Sequence, residues 1–131
     1  MDVQTIVQLL RKQIPDLVAI YQFGWQARGD AGPVNDIDLA VVAKTVLAER
    51  RLFELAQELA AQHGREVHLL DLKRASTVMC AQVITTGRVL DCRDDQARAE
   101  FEIYACSDYA RLTEERRDIL ADIKARGLIY G

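Results

Sequence analysis

The chain has 131 residues, of which 50% are hydrophobic and 28% are charged, a composition typical of one globular domain that excludes a disordered chain. Its 17 basic residues against 20 acidic ones give a net charge of −3, which argues against a nucleic-acid-binding protein, since phosphate binding needs a basic surface. No apolar run reaches the roughly 20 residues of a membrane span. The 3 cysteines lack the spacing of a disulfide framework or a metal motif, which favours free thiols and a cytoplasmic protein.

The first third of the chain predicts one helix and two strands. Apolar residues at helical spacing indicate an amphipathic helix over residues 2–13, ended by Pro15. An apolar run predicts a strand from Leu17 to Phe23, and a second run predicts a buried strand from Ile37 to Val42. The segment 25–35 between them contains glycine, proline and asparagine, and is therefore expected to form a loop.

The middle of the chain predicts two further helices and two strands. Thr45 is expected to cap a helix that ends at Gly64. A third strand is predicted from Glu66 to Leu72, a helix from Ser76 to Thr86, and a short fourth strand from Val89 to Cys92.

The last part of the chain predicts two helices, one from Asp94 and a second that follows Ser107 and ends at Gly127. The order of elements is then α-β-β-α-β-α-β-α-α. This order predicts an α/β fold in which a sheet of about four strands is packed by helices. We expect one domain over residues 1–131, because no linker or repeat divides the chain.

Two carboxylates stand at the beginning of the second predicted strand. Because strand side chains alternate between faces, Asp36 and Asp38 are expected on the same side, about 6–7 Å apart. Carboxylates this close repel each other unless a cation lies between them, and Mg²⁺ binds carboxylate and phosphate oxygens. Gly24 permits a sharp turn whose N–H groups, with Arg28, can bind a phosphate. Asp-x-Asp alone is also common in turns, so the prediction of metal-assisted nucleotide transfer depends on the combination.

The same segment resembles the minimal nucleotidyltransferase family, small members of the DNA polymerase beta superfamily. The family pattern is Gly-Ser, ten residues and Asp-x-Asp, often with Ala-Arg-Gly in the intervening loop. This chain has Gly24-Trp25, then ten residues that include Ala27-Arg28-Gly29, then Asp36-Ile37-Asp38. Four later segments resemble the antitoxin branch of the family, so that the resemblance covers nearly the whole chain: Thr86 to Leu90, Ser107 to Arg111, Glu115 to Arg117, and Arg126-Gly127.

The resemblance implies a polymerase beta-like fold with a mixed sheet and the activity of a protein adenylyltransferase. Such an antitoxin transfers AMP from ATP to a tyrosine of a HEPN-domain ribonuclease toxin and thereby neutralises it. By the family pattern, Asp36 and Asp38 hold Mg²⁺, while Gly24, Trp25 and Arg28 bind the nucleotide. The resemblance also implies a hetero-oligomer with the toxin, in which the helices from about residue 94 face the partner, without nucleic-acid or membrane binding.

Two positions depart from the family pattern. Trp25 replaces a serine whose hydroxyl helps to hold the phosphates, and His68 stands where the next strand supplies a third aspartate. A neutral imidazole can ligate a metal or accept a proton, so His68 is the third candidate catalytic residue. Asp71 is expected on the opposite face of that strand, as a possible cap of the next helix.

These departures keep a second hypothesis open, in which the active site has decayed and the antitoxin neutralises the toxin by binding and occlusion. A third hypothesis is a small-molecule nucleotidyltransferase of the aminoglycoside-modifying kind. The short chain argues against it, because such enzymes usually need a second domain to hold the acceptor.

Overall fold

A computed structural model describes residues 2–24 and 36–127. Its helices and strands, in chain order, are α1 (Val3–Gln13), β1 (Leu17–Gln22), β2 (Ile37–Ala43), α2 (Glu49–His63), β3 (Val67–Asp71), α3 (Thr77–Thr86), β4 (Arg88–Cys92) and α4 (Asp95–Ala125). The strands form one sheet in the order β3-β2-β1-β4. Strand β1 is antiparallel to β2 and β4, whereas β3 is parallel to β2. The predicted α/β fold with a mixed, four-stranded sheet is therefore confirmed.

Helices cover both faces of the sheet, and each face has its own apolar cluster. On one face α1 and α2 pack against the strands, and on the other face α3 and the first half of α4 do so. Strand β2 contributes alternate residues to the two clusters and is buried on both faces, as expected for a central strand whose sequence is almost entirely apolar. Buried members of the first cluster include Ile6, Leu10, Ile37, Leu39, Leu55 and Leu59, and those of the second include Tyr21, Ala40, Val42, Cys80, Val83 and Ala105.

Backbone hydrogen bonds fix the sheet end at which β1 ends and β2 and β3 begin. The N–H of Phe23 donates to the carbonyl of Asp38 at 3.0 Å, and the N–H of Ile37 donates to the carbonyl of Glu66 at 2.9 Å. Gly87 is required at the same end, because a Cβ there would lie 2.9 Å from the carbonyl oxygen of Gln22. The two hydrogen bonds therefore hold Phe23 and Glu66, which lie just beyond the strand ends, in defined positions.

The ends of the helices agree with the sequence prediction at two positions and differ at a third. The Ser76 hydroxyl accepts a hydrogen bond from the N–H of Met79 and caps α3, and Gly64 ends α2 in the left-handed conformation. The prediction that Thr45 caps α2 is wrong, because this helix begins at Glu49. The N–H and hydroxyl of Thr45 instead donate to the Asp16 carboxylate, at 3.0 and 2.6 Å, and join the loops at the far end of β1 and β2.

The predicted pair of C-terminal helices is one continuous helix of 31 residues, α4, about 46 Å long at the standard rise per residue. The break expected at Ser107 does not occur, because the exposed Ser107 does not interrupt the backbone hydrogen bonds. Its neighbour Asp108 accepts a hydrogen bond from the Thr77 hydroxyl at 2.8 Å and ties α4 to α3. Closer to the start of α4, the Tyr21 hydroxyl donates to Glu102 at 3.1 Å.

Cys80, Cys92 and Cys106 are free thiols, as predicted. Burial raises the pKa of Cys80, the most deeply buried of them, and its thiol donates to the carbonyl of Leu72 at 3.0 Å. Its contacts are those of a structural side chain rather than a nucleophile. Within residues 2–24 and 36–127, no helix is long and apolar enough to cross a membrane.

Asp71 lies on the strand face opposite His68, as expected, but it does not cap α3. Its side chain is 1% exposed and holds two loops together. One carboxylate oxygen accepts from the N–H of Leu47 at 2.9 Å, and the other accepts from the N–H of Lys73 at 3.0 Å. The carboxylate thus replaces water for two backbone donors at the end of β3.

Replacing Asp71 by alanine should destabilise the chain by about 2–3 kcal/mol, because two partly buried backbone donors lose their charged acceptor. Asp71→Asn should cost less, since one carbonyl oxygen remains. Urea denaturation followed by circular dichroism measures both. An alanine variant with the unfolding midpoint of the wild type would show that this carboxylate does not support the two loops.

Candidate active site

Four polar side chains meet where the parallel strands β2 and β3 begin. Asp38 pairs in register with His68, and Asp36 and Glu66 stand two residues earlier on each chain segment. Alternation along the two strands therefore directs all four side chains to one face of the sheet. Ile37, between the two aspartates, is fully buried on the opposite face and anchors the strand.

The side chains of Asp36, Glu66 and His68 are close enough to share one ion. The Nε2 atom of His68 lies 3.4 Å from Oδ2 of Asp36 and 3.8 Å from Oε1 of Glu66. One potential ligand atom from each residue lies within 4.8 Å of the other two. The side chains are 30%, 70% and 51% exposed, respectively, so the group opens to solvent and is accessible to a ligand.

Asp38, like Asp36, is intermediate in exposure, and its carboxylate is partly desolvated. Burial raises the pKa of its carboxyl group, the negative charge of Asp36 raises it further, and His68 acts in the opposite direction. Gly24 packs directly on this carboxylate with φ of +80°, and a Cβ at residue 24 would collide with Oδ2 of Asp38. Glycine is thus required by both its conformation and the close approach.

An apolar hollow of about 490 Å³ borders the polar group on the side of α2 and α3. Phe23, Phe53, Leu70 and Met79 are among its lining residues, and His68 lies at its edge. A larger depression of about 560 Å³ lies at the opposite end of the sheet and contains none of the four polar residues. The hollow next to His68 and a smaller one of about 200 Å³ beside Phe23 and Gly24 adjoin the polar group.

The donor set is suited to a divalent cation. Carboxylate oxygens of Asp36 and Asp38, with phosphate oxygens of a bound nucleotide, are the ligands that Mg²⁺ prefers. Gly24 leaves room for the Asp38 carboxylate itself, whose Oδ2 lies where a Cβ of residue 24 would stand. Asp36 also belongs to a second set of possible metal ligands, which it forms with Glu66 and His68.

The structure brings together four of the residues predicted from the sequence, namely Gly24, Asp36, Asp38 and His68. Trp25 and Arg28, the other two predicted nucleotide-binding residues, lie outside the described residues. Glu66 was not predicted as a site residue. Its signal was present, however, since Glu66-x-His68 repeats the alternation of Asp36-x-Asp38 at the beginning of the neighbouring strand.

Residues 4–96 match the family described as polymerase beta, nucleotidyltransferase. The chain is also 41% identical over 122 residues to the protein adenylyltransferase MntA of Shewanella oneidensis (strain MR-1), a match that covers 92% of this chain and 86% of the relative.

Solved structures of toxin–antitoxin complexes are similar over nearly the whole chain. One contains AMP-PNP and matches with a TM-score of 0.83 and 39% identity, over 95% of this chain and 99% of the other. A second is a tri-AMPylated Shewanella oneidensis HEPN toxin in complex with an MNT antitoxin, with a TM-score of 0.77, 38% identity and coverage of 93% and 95%. A third, of MntA–HepT, has a TM-score of 0.76 and 38% identity over 93% and 96%.

Asp38→Asn should raise the thermal unfolding midpoint at pH 7 in the presence of a chelator, because a partly buried charge next to Asp36 is removed. Folding raises the pKa of this carboxyl group above its value in the unfolded chain. The folded state therefore loses stability as the pH rises from the pKa of the unfolded state through that of the folded state. The gain should therefore be largest at neutral pH and disappear below about pH 4.

Scanning calorimetry across this pH range measures the effect. The matched control is Asp118→Asn, at an exposed position of α4, which should leave the midpoint unchanged. A lower midpoint of Asp38→Asn at neutral pH would contradict the account of Asp38.

Proposed function

The chain belongs to the polymerase beta nucleotidyltransferase family, and from this premise we propose that it is an antitoxin that transfers AMP from ATP to a tyrosine of a HEPN ribonuclease toxin. The observation that carries the proposal is the position of Asp36, Asp38 and Gly24, the family's motif residues, at one end of the sheet. The similarity to the adenylyltransferase MntA and to a complex with an AMPylated toxin supports the choice of reaction and partner.

In this proposal Asp36 and Asp38 are the residues that would hold Mg²⁺, together with ATP. The ion, when bound, supplies Lewis-acid stabilisation of the charge that develops on the transferred phosphate. The close packing of Gly24 on Asp38 restricts the position of the carboxylate. We assign the remaining phosphate contacts to the backbone of Trp25 and the guanidinium of Arg28.

The transfer forms a bond between the tyrosine oxygen of the toxin and the α-phosphorus of ATP, and breaks the bond from that phosphorus to the bridging oxygen of pyrophosphate. The tyrosine proton passes to Asp38 or His68, which are paired on neighbouring strands at the same edge. Pyrophosphate leaves with the electron pair of the broken bond. The chain thus positions the nucleotide and accepts a proton, and binding of the toxin supplies the nucleophile at high effective concentration.

The C-terminal half of α4 is the proposed docking surface for the toxin. Phe101 and Ala105 pack on the sheet. The same helical face continues beyond Ala105 at successive spacings of 7, 7 and 4 residues, as Leu112, Ile119 and Ile123. In the described part of the chain, side-chain hydrogen bonds and ion pairs beyond residue 108 join residues of α4 only. Ile119 on this face is 58% exposed, and an exposed apolar side chain on a helix that projects beyond the sheet contacts fits a partner protein.

The second candidate function is neutralisation by binding without AMP transfer. Its supporting observation is His68, which adds no negative charge to the metal site where the family has an aspartate. In this case the docking surface on α4 would be needed for neutralisation, whereas Asp36 and Asp38 would not.

Incubation of the chain with its toxin, ATP and Mg²⁺ should increase the mass of the toxin by one or more AMP groups, measured by intact-protein mass spectrometry. Asp36→Asn should reduce the rate at least about 100-fold, because the loss of one ligand to the charge-stabilising ion costs several kcal/mol. The control Glu58→Gln removes an exposed carboxylate from α2 and should leave the rate unchanged. Silencing of the toxin without any added mass would decide for occlusion.

Ile119→Asp should weaken binding of the toxin at least about tenfold, because it places a charge in the centre of the proposed apolar contact. The matched control is Ile103→Asp, since Ile103 is 67% exposed, close to the 58% of Ile119, but lies on the other side of α4. Biolayer interferometry with immobilised toxin measures both. Equal loss of affinity in the two variants, or none in Ile119→Asp, would reject this surface.

A further inference from the structure

We propose that Asp36, Glu66 and His68 give this chain a divalent-cation site that prefers Mn²⁺ to Mg²⁺, with His68 Nε2 as a direct ligand. The site shares Asp36 with the proposed transferase centre and would supply that centre with Mn²⁺ in place of Mg²⁺. The inference rests on the proposed function for its biological use, but binding of the ion is testable without ATP or toxin.

The spacing of the donor atoms suits a single ion. Two ligands that each lie about 2.1 Å from one ion are about 3.0 Å apart at a right angle and about 3.4 Å apart at the tetrahedral angle. Nε2 of His68 and Oδ2 of Asp36 are 3.4 Å apart, within this range. Oε1 of Glu66 is 3.8 Å from the same nitrogen, and its 70% exposed side chain can rotate closer.

The chemistry of the donors selects among ions. Mg²⁺ binds oxygen ligands almost exclusively and retains its water, whereas Mn²⁺, although the weakest binder among the first-row divalent metals, accepts an imidazole nitrogen beside carboxylates. His68 replaces a carboxylate with a neutral nitrogen donor at the position that pairs with Asp38. This replacement weakens the attraction for Mg²⁺ and adds a favourable ligand for Mn²⁺.

Structural stabilisation does not account for the group. Its three side chains are between 30% and 70% exposed, and ion pairs at such positions contribute little to stability. The strands, by contrast, hold the donors firmly, because the N–H of Ile37 donates to the carbonyl of Glu66 at 2.9 Å. A fixed backbone with open, converging donors is the arrangement that an ion site needs.

The test is the binding of each metal alone to the full chain. Calorimetry measures the affinity for Mg²⁺ and for Mn²⁺, and pulsed electron paramagnetic resonance identifies the ligands of bound Mn²⁺. Mn²⁺ should bind at least about tenfold more tightly than Mg²⁺. The resonance spectrum of bound Mn²⁺ should contain the ¹⁴N coupling of a directly coordinated imidazole. In His68→Asp the ¹⁴N coupling should be absent, and the preference for Mn²⁺ should fall several-fold as Mg²⁺ binding improves.

The chain contains only two histidines, so His63→Gln is a complete control. His63 lies at the end of α2, where its Nδ1 contacts the carbonyl of Leu59 at 2.9 Å, and this substitution should leave the ¹⁴N coupling intact. A spectrum without nitrogen coupling in the wild type, or equal affinity for Mn²⁺ and Mg²⁺, would overturn the inference. Either result would leave AMP transfer with Mg²⁺ unaffected, so the two proposals fail separately.

Discussion

The parallel pairing of β2 with β3 is the constraint on which the site depends. It places Asp38 opposite His68 and brings the two preceding residues, Asp36 and Glu66, to the same edge. Parallel strands require a crossover, and α2 provides it by burying Leu55 and Leu59 against the sheet. Helix α2 therefore both connects the two strands that carry the polar side chains and contributes to one of the two apolar clusters. A shift of one residue in this register would direct His68 into the apolar cluster.

The polar edge costs stability that the rest of the domain offsets. Asp38 is partly buried beside a second carboxylate, and Gly24 adopts a left-handed conformation against it. The two neighbouring negative charges repel each other, which is unfavourable in the absence of a bound cation. Apolar clusters on both faces of the sheet supply the compensating burial. A bound ion relieves this repulsion, so ion binding should recover the stability that the two charges cost.

The local sequence predicted most of the fold, because apolar periodicity and end signals such as Ser76 and Gly64 act over a few residues. The continuity of α4 was not predictable in this way, since a serine at an exposed position has the same signal whether a helix ends there or continues. Thr45 was assigned to a cap for its residue type, whereas its partner Asp16 is distant in sequence. Glu66 was missed for a related reason, since its role appears only when β3 lies beside β2. The aspartates were recognised because their motif is local, and His68 was recognised by its place in the family pattern.

The central claim is that the chain transfers the α-phosphate of ATP, with its nucleoside, to the toxin. The most direct measurement compares two labels, ATP labelled at the α-phosphorus and ATP labelled at the γ-phosphorus, in parallel incubations with the chain and its toxin. The account predicts that the α-label becomes attached to the toxin, while the γ-label is released as pyrophosphate. Attachment of the γ-label would indicate phosphorylation and contradict the account, and a toxin that is silenced without either label would show that the chain acts by binding alone.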